Sequence, residues 1–248
     1  MHADCCAAAS FYARAIDLIL DAGCRFLVGG TYALRAYTGI QRPTKDLDLF
    51  CLESEYPGIL ARLAASGYRT EVTNPSWIAK IFHGDRYIDL IFSSGNGVCD
   101  VDDSWFQFAP LGRVLNRFVP LVPPEEMIWS KAFIQERERF DGADVLHLIH
   151  CQHDRLDWQR LLDRFDPHWE VFLAHLLNYR FVYPADVDAI PTEVMDDLLS
   201  RASQFTPSLA RARNSCRGDL LSSSQYDVDF SEWGYDEVDD AQTSATVA

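Results

Sequence analysis

The chain has 248 residues, 48% of them apolar, with a formal net charge of −15 and a pI near 4.7. That length allows one large domain or two small ones with a real core; the acidic balance disfavours an extended nucleic-acid footprint but not a nucleotide or one RNA end. Seven cysteines without a CxxC pair point to reduced thiols and a cytoplasmic address. The N-terminal stretch has no basic n-region, and no apolar run approaches the ~18 residues of a spanning helix, so no membrane partner is expected.

Residues 9–22 place Phe11, Ala15, Leu18 and Ile19 at helical spacing, with Ser10 as N-cap and Gly23 as stop. "CRFLVGG" then reads as a short buried strand, and Thr31 opens a second helix that Gly39 ends. "KDLDLFC" alternates with period two: Leu47 and Leu49 share one face; Asp46, Asp48 and Phe50 share the other. "YPGILARLAASG" is a helix, with Pro57 in its first turn and Gly67 after its last. "YRTEVT", "WIAKIFHGD" and "RYIDLIFSS" follow as strands, the last two joined by a turn at His83-Gly84-Asp85. In the last of them Tyr87, Asp89 and Ile91 share a face. This order predicts an α/β (α+β) fold: a mixed sheet of about five strands with flanking helices.

From about residue 123 the pattern is helical: "PPEEMIWSKAFIQERERF", "GADVLHLIHCQ", "DWQRLLDRF", "HWEVFLAHLLNYRFV" and "PTEVMDDLLSRAS". The expected domains are 1–120, a helical region 121–213 and an acidic tail 214–248. In the tail, charge favours disorder, while Tyr226, Phe230, Trp233 and Tyr235 favour partial docking and the last eight or so residues are expected to be loose.

Asp46 and Asp48 lie roughly 7 Å apart along one strand face. If the strand bearing Asp89 is a neighbour, three carboxylates converge, and their mutual repulsion calls for a divalent cation. Mg²⁺ prefers a few carboxylates, water and phosphate oxygens; two such ions would clamp the attacking and leaving oxygens of a phosphoryl or nucleotidyl transfer. Gly29 and Gly30, between strand and helix, allow a phosphate close to the backbone and the helix N-terminus. Thr31 adds a hydroxyl, and Arg42 and Lys45 add charge for a triphosphate. The plain alternatives are a turn followed by a solvated edge strand, and surface charges.

Gly-Gly, a helix, Asp-apolar-Asp on a strand and a later strand Asp together resemble the nucleotidyltransferase superfamily with the polymerase-β-like fold. The resemblance covers about residues 25–92. It implies that Gly29, Gly30 and Thr31 bind the triphosphate, and that Asp46, Asp48 and Asp89 bind metal, with Asp89 also assisting deprotonation of the acceptor. Fifteen residues separate Gly30 from Asp46, more than the usual motif spacing. The form "GG…L…R.TKDLDLF" is similar to the bacterial AbiEii-type group. That likeness implies a lysine and an acid in the helical half: Lys131, which would bind phosphate, with Asp141 or Asp144.

The expected function is Mg²⁺-dependent transfer of a nucleoside monophosphate from an NTP to an unknown acceptor: a small molecule, a protein or an RNA end. The alternative is a non-catalytic nucleotide-binding or protein-interaction module on the same fold. His147, His150, Cys151 and His153 sit close in sequence but lack a second cluster to close a zinc tetrahedron. "FSSGNG" is not a nucleophile elbow, and no GxxxxGK[ST] loop is present.

Overall fold

Helix α1 (His2–Asp21) begins well before the stripe that defines it. Phe11, Tyr12, Ala15, Ile16, Leu18 and Ile19 are all buried, the i, i+3, i+4 pattern of a helix lying on a core. The computed structural model describes residues 2–204 and 214–237. The chain divides into two compact units, Met1–Ser130 with His147–Leu156 and Lys131–Leu146 with Asp157–Ala248.

In the first unit β1 (Leu27–Val28), α2 (Gly30–Thr38), β2 (Asp46–Phe50), α3 (Tyr56–Ala65), β3 (Arg69–Asn74), β4 (Ile78–His83) and β5 (Arg86–Ile91) follow in the expected order. Their five strands form one mixed sheet, β1-β2-β5-β4-β3. Only β2 and β5 are parallel; the other three pairs are antiparallel. One face carries Leu47, Leu49, Ala79, Ile81, Ile88 and Leu90, all fully buried in a core shared with α1 and α3. Full burial on that side fixes the register, because a one-residue slip would turn every leucine outward.

Local chemistry sets the ends. Gly39 stops α2 in the left-handed region (φ 74°), donating its N–H to the Arg35 carbonyl. Gly84 (φ 59°) makes the tight β4–β5 turn. Edge strand β3 carries Arg69 and Glu71, both exposed, which suits a strand with an unpaired side.

Residues 103–120 add elements that the sequence did not reveal: α4 (Asp103–Gln107) and a hairpin of β6 (Leu111–Val114) and β7 (Arg117–Pro120). The hairpin turns at Leu115 and Asn116, both at positive φ (48° and 63°). It is tied to α1 by two hydrogen bonds from Arg117 to Asp17, at 2.5 and 2.6 Å.

Helix α5 (Pro124–Ala132) ends earlier than the expected residue 140. Helix-forming residues follow, but an isolated Gln135–Phe140 bridge and a hydrogen bond from Glu136 N–H to the Arg139 carbonyl turn the chain back on itself. Then come α6 (Gly142–Gln152), α7 (Trp158–Phe165), α8 (Trp169–Val182) and α9 (Thr192–Gln204). The second unit is centred on stacked rings, Phe165 on Phe172 at 4.6 Å and Phe133 on Phe165 at 5.9 Å.

The described part of the tail is structured. Strand β8 (Ser215–Cys216) pairs with β9 (Asp236–Glu237) around α10 (Ser223–Ser231). Tyr226 and Phe230 are partly buried, whereas Trp233 is exposed. The expectation of a loose final segment falls on 241–248, outside the described residues.

Candidate active site

Opposite the leucine face, β2 presents Asp46 and Asp48. The parallel register sets Asp48 directly beside Asp89 and Asp46 beside Tyr87. One carboxylate oxygen from each of Asp46, Asp48 and Asp89 lies within 4.8 Å of the others. Among the described residues this is the only group of three acidic, His or Cys side chains so arranged. All three are half-buried. The donor set is three hard oxygens, which fits Mg²⁺ or Mn²⁺ rather than a soft-ligand metal. His147, His150, Cys151 and His153 form no such group.

The glycine pair meets these carboxylates directly. Gly29 N–H donates to the Asp48 carbonyl at 3.0 Å. A Cβ on Gly30 would lie 1.6 Å from Asp48 Oδ2, and Gly30 has φ +52°. A Cβ on Gly29 would lie 2.4 Å from the Phe50 ring. The glycines therefore let the start of α2 pack against the acidic face. That nine-residue helix has no side-chain cap, so its first N–H groups point out beside Asp48 with the positive end of the helix dipole. Thr31 stands in this first turn.

Three residues outside the carboxylate set brace it. Thr44 donates its hydroxyl to Asp46 Oδ1 at 2.5 Å, and Tyr87 reaches Asp46 Oδ2 at 3.5 Å. Lys80 Nζ lies 2.6 Å from Asp89 Oδ1 and 4.3 Å from the centre of the Tyr87 ring. Burial first, then the charges of Asp46 and Asp89, push the Tyr87 phenol up, so it remains a hydrogen-bond donor at neutral pH. Neither Lys80 nor Tyr87 was among the site residues expected from the sequence. Their only signal was parity: each occupies the polar position of an alternating strand, on the face that bears the aspartates.

Arg42 and Lys45 are exposed on the segment entering β2, and the Lys45 carbonyl accepts the Tyr12 hydroxyl at 2.8 Å. Lys131 lies in the second unit, its ammonium 2.6 Å from Asp141 and 2.9 Å from Asp144. Burial pushes the Asp141 carboxyl up, but Arg139 and Lys131 outweigh it and hold the group below the usual range.

No family model and no curated protein matches the chain. Several solved structures are similar to it. The lincomycin-bound lincosamide antibiotic adenylyltransferase LnuA is 17% identical, covering 56% of this chain and 94% of its own, with a TM-score of 0.41. ANT(2″)-Ia in complex with adenylyl-2″-tobramycin is 15% identical over 78% of this chain and 98% of its own, with a TM-score of 0.40. JHP933 from Helicobacter pylori is 14% identical over 90% of this chain and 97% of its own, with a TM-score of 0.39.

Proposed function

We propose that the chain is a Mg²⁺-dependent nucleotidyltransferase, which moves a nucleoside monophosphate from an NTP to a hydroxyl acceptor and releases pyrophosphate. The observation that carries this reading is the meeting of Asp46, Asp48 and Asp89 on two registered strands, against a glycine that no other residue can replace without a clash. Bound Mg²⁺, two ions in this reading, would neutralise the triphosphate and polarise the α-phosphate.

The chain's own groups do the rest. Asp46, Asp48 and Asp89 hold cation. Gly29, Gly30 and Thr31 seat the β- and γ-phosphates with backbone N–H groups and a hydroxyl. Arg42 and Lys45 add charge to the phosphate side, and Lys131 is assigned to phosphate from the sequence pattern alone. Asp89 orients the acceptor hydroxyl and takes its proton. The acceptor oxygen forms a bond to the α-phosphorus as the bond to the bridging oxygen breaks, and pyrophosphate leaves with that electron pair. This work is assigned to residues 1–120, with 121–213 as a helical region and 214–248 as a tail.

No described helix is long and apolar enough to cross a membrane. Cys24, Cys51, Cys99, Cys151 and Cys216 are free thiols, which supports a reducing, cytoplasmic setting.

The test is incubation with each α-labelled NTP, Mg²⁺ and pooled small-molecule, protein or RNA acceptors. Labelled product and pyrophosphate are expected, and Asp48→Asn should abolish both. Tight NTP binding with no turnover on any pool would favour the non-catalytic module instead.

A further inference from the structure

The face that bears the aspartates continues past Asp89 with residues of mixed charge. Across the sheet the register reads Asp48, Asp89, Lys80, Glu71 in one row and Asp46, Tyr87, Phe82, Arg69 in the next. Lys80 is thus the cross-strand neighbour of Asp89, so the backbone itself sets their pairing. The Lys80 and Asp89 side chains are only 24% and 13% exposed. The Tyr87 ring backs the ammonium at 4.3 Å, and the same tyrosine's hydroxyl reaches Asp46.

We propose that Lys80 is a built-in competitor for the divalent cation at Asp89, so that the site loads metal tightly only together with a nucleoside triphosphate. This rests on the metal site of the proposed function and deepens it. A carboxylate oxygen can accept from an ammonium and bind a cation at once only against the repulsion between those two positive charges. Lys80 therefore lowers the affinity of Asp89 for free Mg²⁺ or Mn²⁺. An incoming triphosphate brings negative charge near both cations and gives the ammonium other oxygens to face. Metal and nucleotide affinities then rise together, each favouring the other by the same factor. Lys80 acts through Asp89 and is a positioning residue.

The test is a Mn²⁺ titration, read by electron paramagnetic resonance, of the full-length protein without nucleotide. Lys80→Met should bind Mn²⁺ on the order of tenfold more tightly than wild type, from removal of one positive charge about 5 Å away. Lys80→Gln provides the same test should the methionine variant fold poorly, and Lys80→Arg should match wild type. In an Asp89→Asn background, Lys80→Met should tighten Mn²⁺ binding less than it does with Asp89 present, because only the through-space charge and no freed carboxylate oxygen then contributes. A non-hydrolysable NTP analogue should tighten Mn²⁺ binding more in wild type than in Lys80→Met. Equal or weaker Mn²⁺ binding by both neutral variants would overturn the proposal. Absence of analogue binding by wild type would instead count against the nucleotidyltransferase reading, and the nucleotide-free titrations would still decide the role of Lys80.

Discussion

Gly30 carries two separable requirements. Its φ of +52° disfavours any side chain, and its missing Cβ makes room for Asp48 Oδ2. Gly39 shares only the first: φ is +74° and nothing lies within 4 Å of a Cβ there. Left-handed backbone costs a non-glycine residue about 1–2 kcal/mol. Gly39→Ala should therefore lose about that much stability and leave Mn²⁺ binding unchanged. Gly30→Ala should lose at least as much stability and weaken Mn²⁺ roughly tenfold or more, because Asp48 must move. Paired urea melts and Mn²⁺ titrations check both; unchanged Mn²⁺ affinity in Gly30→Ala would show that Asp48 is not held in place by the glycine. At this scale the sequence was most legible where alternation was strict. Asp46, Asp48 and Asp89 each interrupt an apolar run at period two, which identified their face. Lys80 and Tyr87 follow the same parity, but nothing local in the chain says which strands become neighbours.

Between elements, the parallel β2–β5 pair is the decisive join. Strand order comes from long-range packing, so the sequence supported the meeting of the aspartates only as a conditional. The β6–β7 hairpin was hidden for a different reason. Two positive-φ positions in a two-residue turn normally advertise themselves as Asn-Gly or Asp-Gly, and here they are Leu115 and Asn116. Helix α5 failed the other way: propensity favoured continuation past Ala132, and a local bridge with charged partners overrode it.

The hairpin's tie to α1 can be tested by pH. Hydrogen bonds from Arg117 hold the Asp17 carboxyl below its usual value, against a smaller upward push from burial. A depressed carboxyl contributes its stability above the unfolded value, about 3.9, and loses it as pH falls through the lower folded value. Both side chains are about a third exposed, so the pair is worth only about 0.5–1 kcal/mol. Arg117→Met should be less stable than wild type by that amount from pH 7 down to about 4.5. The gap should close as pH falls further, read from urea midpoints. A gap that persisted at pH 2 would mean lost packing rather than a lost charge pair.

The buried Lys131 cluster behaves differently. Its ammonium and the Asp141 and Asp144 carboxylates are about 10% exposed or less. Removing the ammonium takes a buried partner from both acids, while Arg139 still pairs with Asp141, and this costs about 3 kcal/mol. Lys131→Met should therefore show a large fall in urea midpoint. A variant as stable as wild type but with weakened nucleotide binding would assign this lysine to phosphate alone.

For the whole molecule, the net charge of −15 acts together with where the basic groups point. Sequence alone left an RNA end open as acceptor, because Arg35, Arg42, Lys45, Arg62, Arg69, Lys80 and Arg86 fall within the half that bears the three aspartates. Several of these are tied locally. Arg69 holds Glu71 at 2.8 Å, Lys80 holds Asp89, and Arg62 reaches the Leu18 carbonyl at 3.4 Å. Elsewhere in the same unit Arg25 holds both Glu55 and Asp103. Positive charge shared with neighbouring acids, as at Arg69 and Lys80, contributes less to the counterion release that gives RNA binding its affinity and steep salt dependence. A labelled RNA of about 20 nucleotides should therefore bind only weakly at about 0.15 M salt. Its affinity should change little between about 50 and 300 mM KCl by fluorescence anisotropy. In the proposed function an NTP needs only the short segment Gly29–Thr31 with one or two cations, so a large excess of that RNA should leave NTP binding unchanged. Tight RNA binding that falls steeply with salt would reveal a cationic track and move the acceptor towards RNA.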